Sequence, residues 1–376
     1  MLTLVVLNKD LPRPAIILLV ISQAITIPWL SFKVTATQDN SSQMAIKSPY
    51  LLFLGDAHDA LAAKVAQGIV DWRPDNCVGQ LRLDGCNADC GLTEMTVDQA
   101  VAAGAKTLVI GVANRGGVIA DNWIEVLQLA LDQGLDLAAG LHNRLADVPA
   151  LAAKAQSLGR VLHDVRHPTE TYPVGSGLPR RGKRVLPVGT DCSCGKMYTA
   201  LALEKAMRAR GVAADFRATG QTGILICGSG VSVDAVVSDF ISGATEVLAP
   251  AASDDNHWDI VEGQGSLYHP SFAGVTTGLI HGAQPDYLVL CHEPTRTHMR
   301  GLPHYPIPDL ADCMQANLAT ARLTSPDVKF AGISVNTAAL SEADAEACLK
   351  KLESTHGLPA VDPFRTGIDR LVDALL

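Results

Sequence analysis

Lys183-Arg184-Val185-Leu186-Pro187-Val188-Gly189-Thr190-Asp191-Cys192-Ser193-Cys194-Gly195-Lys196 is the stretch whose reading decides the fold. Residues 185–188 have the apolar content of a short buried strand, and 197–210 read as a helix ended by Gly211. The residues between them carry two glycines and a lysine. A loop of this kind leaves the first N–H groups of the helix unpaired and aimed into one concavity. Those donors, the helix dipole and the Lys196 ammonium make a phosphate cradle. Gly189, Thr190, Asp191, Cys192, Ser193, Cys194, Gly195 and Lys196 are therefore the expected anion-binding residues. An ordinary strand-to-helix turn is the plainer alternative, but turn chemistry alone does not call for a lysine at this point. Two departures from the usual phosphate loop matter. Five residues separate the glycines instead of four, and Met197 stands where a hydroxyl would bind Mg²⁺. Thr199, three positions after the lysine, is not placed to substitute. A loop with phosphate donors and no metal ligand suits a phosphate that is held rather than transferred, and no metal is expected.

Outward from this loop, strand and helix signals alternate in both directions. Before it, apolar runs at 50–54, 107–111, 135–140 and 160–163 read as strands, with helical stretches at 57–70 and 148–158. Asp121 looks like the N-cap of a further helix reaching Gln133, with Gly134 placed to stop it. After the loop, 223–227, 260–261, 287–291 and 329–335 are strand candidates. Pro168, Pro173, Gly175, Gly177, Pro179 and Gly182 crowd the segment between the two series. The expected class is α/β. A Rossmann-like parallel-sheet domain at 44–167 is followed by a linker at 168–183 and a P-loop NTPase-like α/β domain at 184–376.

Composition bounds the function. A chain of 376 residues is long for a single core, and 48% hydrophobic against 18% charged residues is a globular balance. A net charge of −9 argues against a nucleic-acid footprint, which needs clustered Lys and Arg. Nine scattered cysteines fit a reducing compartment better than a disulfide framework, so a cytoplasmic location is expected. Residues 1–43 look like a signal peptide, with Lys9 and Arg13 before an apolar run and Val34-Thr35-Ala36 as a cleavage site. Ser22, Gln23, Thr26 and Pro28 interrupt that run, which argues against a membrane span. Because the rest of the chain reads as cytosolic, the expectation is that this segment is an untranslated extension and translation begins at Met44.

Two further clusters carry polar chemistry. In Ile260-Val261-Glu262-Gly263-Gln264-Gly265-Ser266-Leu267-Tyr268-His269-Pro270, Glu262 sits where an apolar strand gives way to a glycine turn. A carboxylate there faces the ligand edge of the sheet and can act as a base, although it can also simply cap a turn. His269, His281 and His292 lie near strand or loop ends, where single histidines are commonly structural. The second cluster, Thr219-Gly220-Gln221-Thr222-Gly223, has the hydroxyls and amide of a substrate loop, and turn chemistry explains it equally well. Cys86, Cys90 and Asp89 lack the spacing and the second ligand pair of a zinc site.

The runs Gly189-Thr190-Asp191, Gly195-Lys196 and Val261-Glu262-Gly263 with Gly265 resemble the nucleotide-site motifs of dethiobiotin synthetase, over short stretches only. A closer resemblance runs from about Pro49 to the C-terminus. It is carried by Gly55-Asp56, Asn114-Arg115-Gly116-Gly117, Gly189-Thr190-Asp191-Cys192, Thr219-Gly220-Gln221-Thr222-Gly223, Glu262-Gly263-Gln264-Gly265-Ser266, His269-Pro270 and His281-Gly282. These motifs resemble the family of D-glutamate N-acetyltransferases, long catalogued only as a domain of unknown function. The resemblance implies a Rossmann-like domain followed by a P-loop-like domain, and acetyl transfer from acetyl-CoA to the amine of D-glutamate. Glu262 or His269 is then the candidate base, and Cys192 offers a covalent route if its thiol is acidified by Lys196 and the helix N-terminus. Arg115, Arg296 and Arg300 are candidates for the substrate carboxylates, with Gln221, Thr222 and Gln264 as further substrate contacts. The expected partners are small molecules, with no nucleic acid and no membrane for the folded part, and assembly as a homo-oligomer. Two other readings stay open at this point: an ATP-dependent ligase or kinase using Mg²⁺, and a nucleotide sensor without chemistry.

Overall fold

The computed structural model describes residues 45–114 and 116–376. The expectations for residues 1–43 and for Arg115 lie outside these residues.

Five parallel strands, β1 (Tyr50–Gly55), β2 (Cys77–Arg82), β3 (Thr107–Ile110), β4 (Asp136–Ala139) and β5 (Leu162–Asp164), form a sheet in the order β2-β1-β3-β4-β5. β1 is buried along its whole length, which is why it reads as a continuous apolar run rather than an alternating one. Helices α1 (Lys64–Trp72), α2 (Val97–Ala102), α3 (Ile124–Asp132) and α4 (Pro149–Leu158) connect these strands. Two helix starts differ from the sequence expectation. The Asp59 carboxylate accepts the Ala62 N–H at 2.8 Å and holds the chain in turns, so α1 begins at Lys64 and not at 57. Asp121 opens a 3₁₀ turn (Asp121–Trp123) ahead of α3 and makes no side-chain cap.

A second parallel sheet has the order β13-β12-β9-β6-β8-β7. Its strands are β6 (Lys183–Gly189), β7 (Ala214–Arg217), β8 (Trp258–Val261), β9 (Tyr287–His292), β12 (Lys329–Val335) and β13 (Ala360–Val361). Between β9 and β12, β10 (His298–Met299) and β11 (Leu302–Pro306) make a small antiparallel hairpin. Helix α5 (Lys196–Ala209) follows β6, as the loop motif requires. The segment expected as a strand at 223–227 is a helix, α6 (Gln221–Cys227). Its run Ile224-Leu225-Ile226 is too short for periodicity to separate a buried helix from a buried strand. Gly220 before it and left-handed Gly228 (φ 84°) after it set the helix ends, and it packs on α1 beside Gly68.

One core cluster draws on both sheets, with Tyr50 and Ile69 from the first series and Leu201, Ile224 and Val361 from the second. Arg73 crosses to the buried carboxylate of Glu204 at 2.5 Å. The carboxyl ends of β6, β7, β8 and β12 open toward the start of α1 and the segment after β5, and a cleft lies there. No described helix is long and apolar enough to cross a membrane.

Candidate active site

The anion loop is held by its own aspartate. Asp191 is fully buried, and its Oδ1 accepts the Cys192 N–H at 2.6 Å. Its Oδ2 accepts Arg296 Nη1 at 2.6 Å and the Arg300 N–H at 2.8 Å. Burial pushes this carboxyl up, but Arg296 and the two backbone donors outweigh it and hold the group below the usual carboxylate range. Ser193 (φ 52°) and Gly195 (φ 108°) are left-handed, which turns the loop tightly enough to start α5. Lys196 is buried, and its ammonium donates to the Asp191 carbonyl at 2.8 Å. Gly263 makes room for this arrangement: a Cβ there would lie 1.7 Å from the Pro187 carbonyl oxygen and 3.0 Å from Lys196 Cδ. Met197 borders the cleft. Thr199 donates to the Gly195 carbonyl at 3.0 Å and pairs with Ser334 at 2.7 Å, so its hydroxyl is committed inside the fold. Below the loop, Thr190 pairs with His292 Nδ1 at 3.1 Å; burial, aided by Arg296, pushes that imidazole down to about 4.

Glu262 follows β8 and is buried at the floor of the cleft. Its Oε2 accepts the N–H groups of Thr219 at 2.9 Å and Gly220 at 3.1 Å. The Thr219 hydroxyl donates to the Glu262 carbonyl at 2.7 Å and accepts Gln264 Nε2 at 3.1 Å. The approach of α6 is so close that a Cβ on Gly223 would meet Glu262 Oε2 at 2.4 Å. Burial raises this carboxyl from 4.5 to about 7, against the pull of the two N–H donors, Lys196 and Gln264. Glu262 therefore does cap the 219–220 turn, and it is also poised to exchange a proton near neutral pH.

The cleft has a volume of about 680 Å³. Cys192, Ser193, Gly195, Lys196, Gln221, Thr222, Glu262, Gln264 and Arg300 all border it, so most of the expected site is brought together. Three expectations need correction. The Cys192 thiol is not acidified: burial outweighs Lys196 and pushes it up to about 11. Arg296 does not face the cleft with a free fork, because Asp191, the Cys192 carbonyl (2.7 Å) and Glu293 take its donors. His269 is buried away from the cleft lining, with Nδ1 accepting the Ser271 N–H and Nε2 donating to the Arg300 carbonyl, both at 3.2 Å. Neither ring nitrogen is left for a substrate proton, and the imidazole steadies Arg300. Sequence reasoning also missed Lys64, Arg166 and Asn336, which border the cleft from α1, from the residues after β5 and from the end of β12. Their positions at element ends on the ligand edge of each sheet were the available signal.

Among the described residues, one trio of possible metal ligands gathers: Asp191, Cys192 and His269, with ligand atoms within 4.8 Å of one another. The carboxylate is paired with Arg296, and both imidazole nitrogens are engaged in hydrogen bonds. A cation there would have to displace those partners.

A strand, an anion loop and a helix on one parallel sheet, set against a second Rossmann-like sheet, define a P-loop-type α/β protein. Residues 173–372 match the family model described as a domain of unknown function, DUF1611_C, P-loop domain, and 81–168 match its DUF1611_N Rossmann-like domain. The chain belongs to this DUF1611 family. It is 62% identical over 330 residues to a D-glutamate N-acetyltransferase of Tritonibacter scottomollicae, covering 88% of this chain and 99% of that protein. A D-glutamate N-acetyltransferase of a Pseudoalteromonas species is 50% identical over 329 residues, with the same coverage. The crystal structure of a DUF1611 family protein from Anabaena variabilis matches with a TM-score of 0.75 at 35% identity, over 88% of this chain and 99% of that one. The resemblance read from the motifs thus extends over most of the chain.

Proposed function

We propose that this protein is a D-glutamate N-acetyltransferase that takes its acetyl group from acetyl-CoA. The observation that carries the reading is a carboxylate titrating near neutral pH in the same cleft as a phosphate loop that lacks the metal-binding hydroxyl. The two relatives named for this activity support the substrate and the reaction. In this reading the N–H groups of the 189–196 loop and Lys196 hold the coenzyme's phosphates. Glu262 takes a proton from the substrate ammonium. The freed amine attacks the thioester carbonyl and the C–N bond forms. As the C–S bond breaks, the nitrogen gives up its second proton to the departing thiolate, and coenzyme A leaves as the thiol. A thiol with a pKa of about 8.5 leaves readily, so the demanding steps are amine deprotonation and oxyanion stabilisation. A positioned base contributes roughly 10²–10⁴ in rate and one oxyanion donor about 3 kcal/mol. Gln221, Thr222 and Gln264 border the cleft and in this reading contact the substrate. The reading includes a cytoplasmic location, which the free cysteines support.

With carbonyl-labelled acetyl-CoA and D-glutamate, the expected product is N-acetyl-D-glutamate carrying the label in its amide, read by mass spectrometry. Recovery of labelled acetate alone would contradict the reading. Burial pushes the Cys192 thiol up to about 11, which supports direct transfer over a Cys192-linked acetyl group. Cys192→Ser is expected to keep kcat within about threefold of wild type, with no acetyl thioester on the intact enzyme. A trapped acetyl-enzyme that disappears in the serine variant would reverse that conclusion.

A further inference from the structure

We propose that Lys64 and Arg166 hold the two carboxylates of the amino-acid substrate, so that the Rossmann-like half selects an acidic substrate while the P-loop half performs the transfer. The inference rests on the acetyltransferase reading and extends it to residues on the opposite wall of the cleft. That wall contributes Leu61, Lys64 and Arg166, and two of the three are cations. In a chain of net charge −9, two cations facing one cleft make a local field that favours an anion. Lys64 opens α1, is exposed, and its ammonium has no hydrogen-bond or ion-pair partner among the described residues. Arg166 lies two residues beyond β5, and its contact is Asp234 at 3.5 Å, the long end of an ion pair. A guanidinium has five N–H donors, so most of this fork is free to take a carboxylate bidentately.

The remaining cations near the cleft sit on or against the anion loop. Arg296 is used by Asp191 and Glu293, and Arg300 donates to the Ser193 hydroxyl. Lys196 lies within the loop itself. A dianionic amino acid whose amine faces Glu262 therefore finds its counter-charges on the Rossmann-like wall.

Lys64→Met and Arg166→Met keep the length of the side-chain stem and remove the charge. Lys64 is exposed and the Arg166 pair is partly exposed, so both variants are expected to keep the wild-type Tm. The measurements use the full chain with acetyl-CoA and either D-glutamate or its neutral amide, D-glutamine. The kcat/KM for D-glutamate is expected to fall roughly tenfold or more in each variant, while KM for acetyl-CoA stays within about twofold. The preference for D-glutamate over D-glutamine falls in the variant that loses the side-chain carboxylate's partner, and both amino acids suffer alike in the variant that loses the α-carboxylate's partner. Calorimetric titration of D-glutamate without acetyl donor reads the same site, and Kd is expected to rise by a similar factor. An unchanged kcat/KM for D-glutamate in either variant, a preference unchanged in both, or a rise in KM for acetyl-CoA in their place overturns the assignment. Wild-type protein that binds D-glutamate through these cations without acetylating it would sink the transferase reading and keep the site. Turnover of D-glutamate with unaltered variants would do the reverse.

Discussion

Glu262→Gln is expected to lower kcat by two or more orders of magnitude while KM for acetyl-CoA barely moves. The substitution keeps an oxygen for the Thr219 and Gly220 N–H groups and removes only the basicity, so the local turn should survive. The pH profile carries the same signature. Glu262 acts as a base only when ionised, so kcat/KM of the wild type should rise with pH through a limb near 7, and the glutamine variant should lose that limb. The stability effect has the opposite sign. A carboxyl raised from 4.5 to about 7 holds its proton more tightly in the folded state than in the unfolded one. Its contribution to stability is therefore fully present below about 4.5, falls as pH climbs to about 7, and is then flat. The full swing is on the order of 3 kcal/mol, so the glutamine variant should gain in relative Tm on going from pH 5 to pH 8. Near-wild-type kcat in Glu262→Gln would reduce this residue to a turn cap.

Lys196→Ala is expected to raise KM for acetyl-CoA by roughly 10–150-fold, the equivalent of one charged hydrogen bond of about 1.5–3 kcal/mol. KM for D-glutamate should change much less. The ammonium donates to the Asp191 carbonyl, so part of the effect will come through the loop. Lys196→Arg separates the two contributions: it keeps the charge, and it should recover acetyl-CoA affinity better than alanine does if phosphate binding dominates. Unchanged acetyl-CoA kinetics in a folded Lys196→Ala protein would remove the loop from the site.

The sequence was most legible where one element answers for itself. β1 is buried along its whole length and reads as an unbroken apolar run, and β6 and β12 are buried beyond their first one or two residues and are mostly apolar. Short or half-buried strands such as β2 and β7 carry too little pattern, and α6 shows that a four-residue apolar run between glycines is ambiguous in principle. The anion loop and Glu262 were readable because each sits at a strand end next to glycines that the close packing demands. Partnerships made in three dimensions were not readable. Arg296 reaches back 105 positions to Asp191, and nothing local separates that brace from a substrate clamp. The Cys192 thiol reads as activated from its neighbours in sequence, yet its burial decides the sign. Lys64 and Arg166 meet the P-loop only because the ligand edges of two sheets face each other.

Release of free thiol from acetyl-CoA by the purified protein, in parallel with D-glutamate, L-glutamate and no amino acid, tests the central claim most directly. The account predicts thiol release that depends on D-glutamate, is matched mole for mole by N-acetyl-D-glutamate, and continues in the presence of a metal chelator. No release of thiol with D-glutamate, alongside amino-acid-stimulated, Mg²⁺-dependent turnover of ATP, would contradict it.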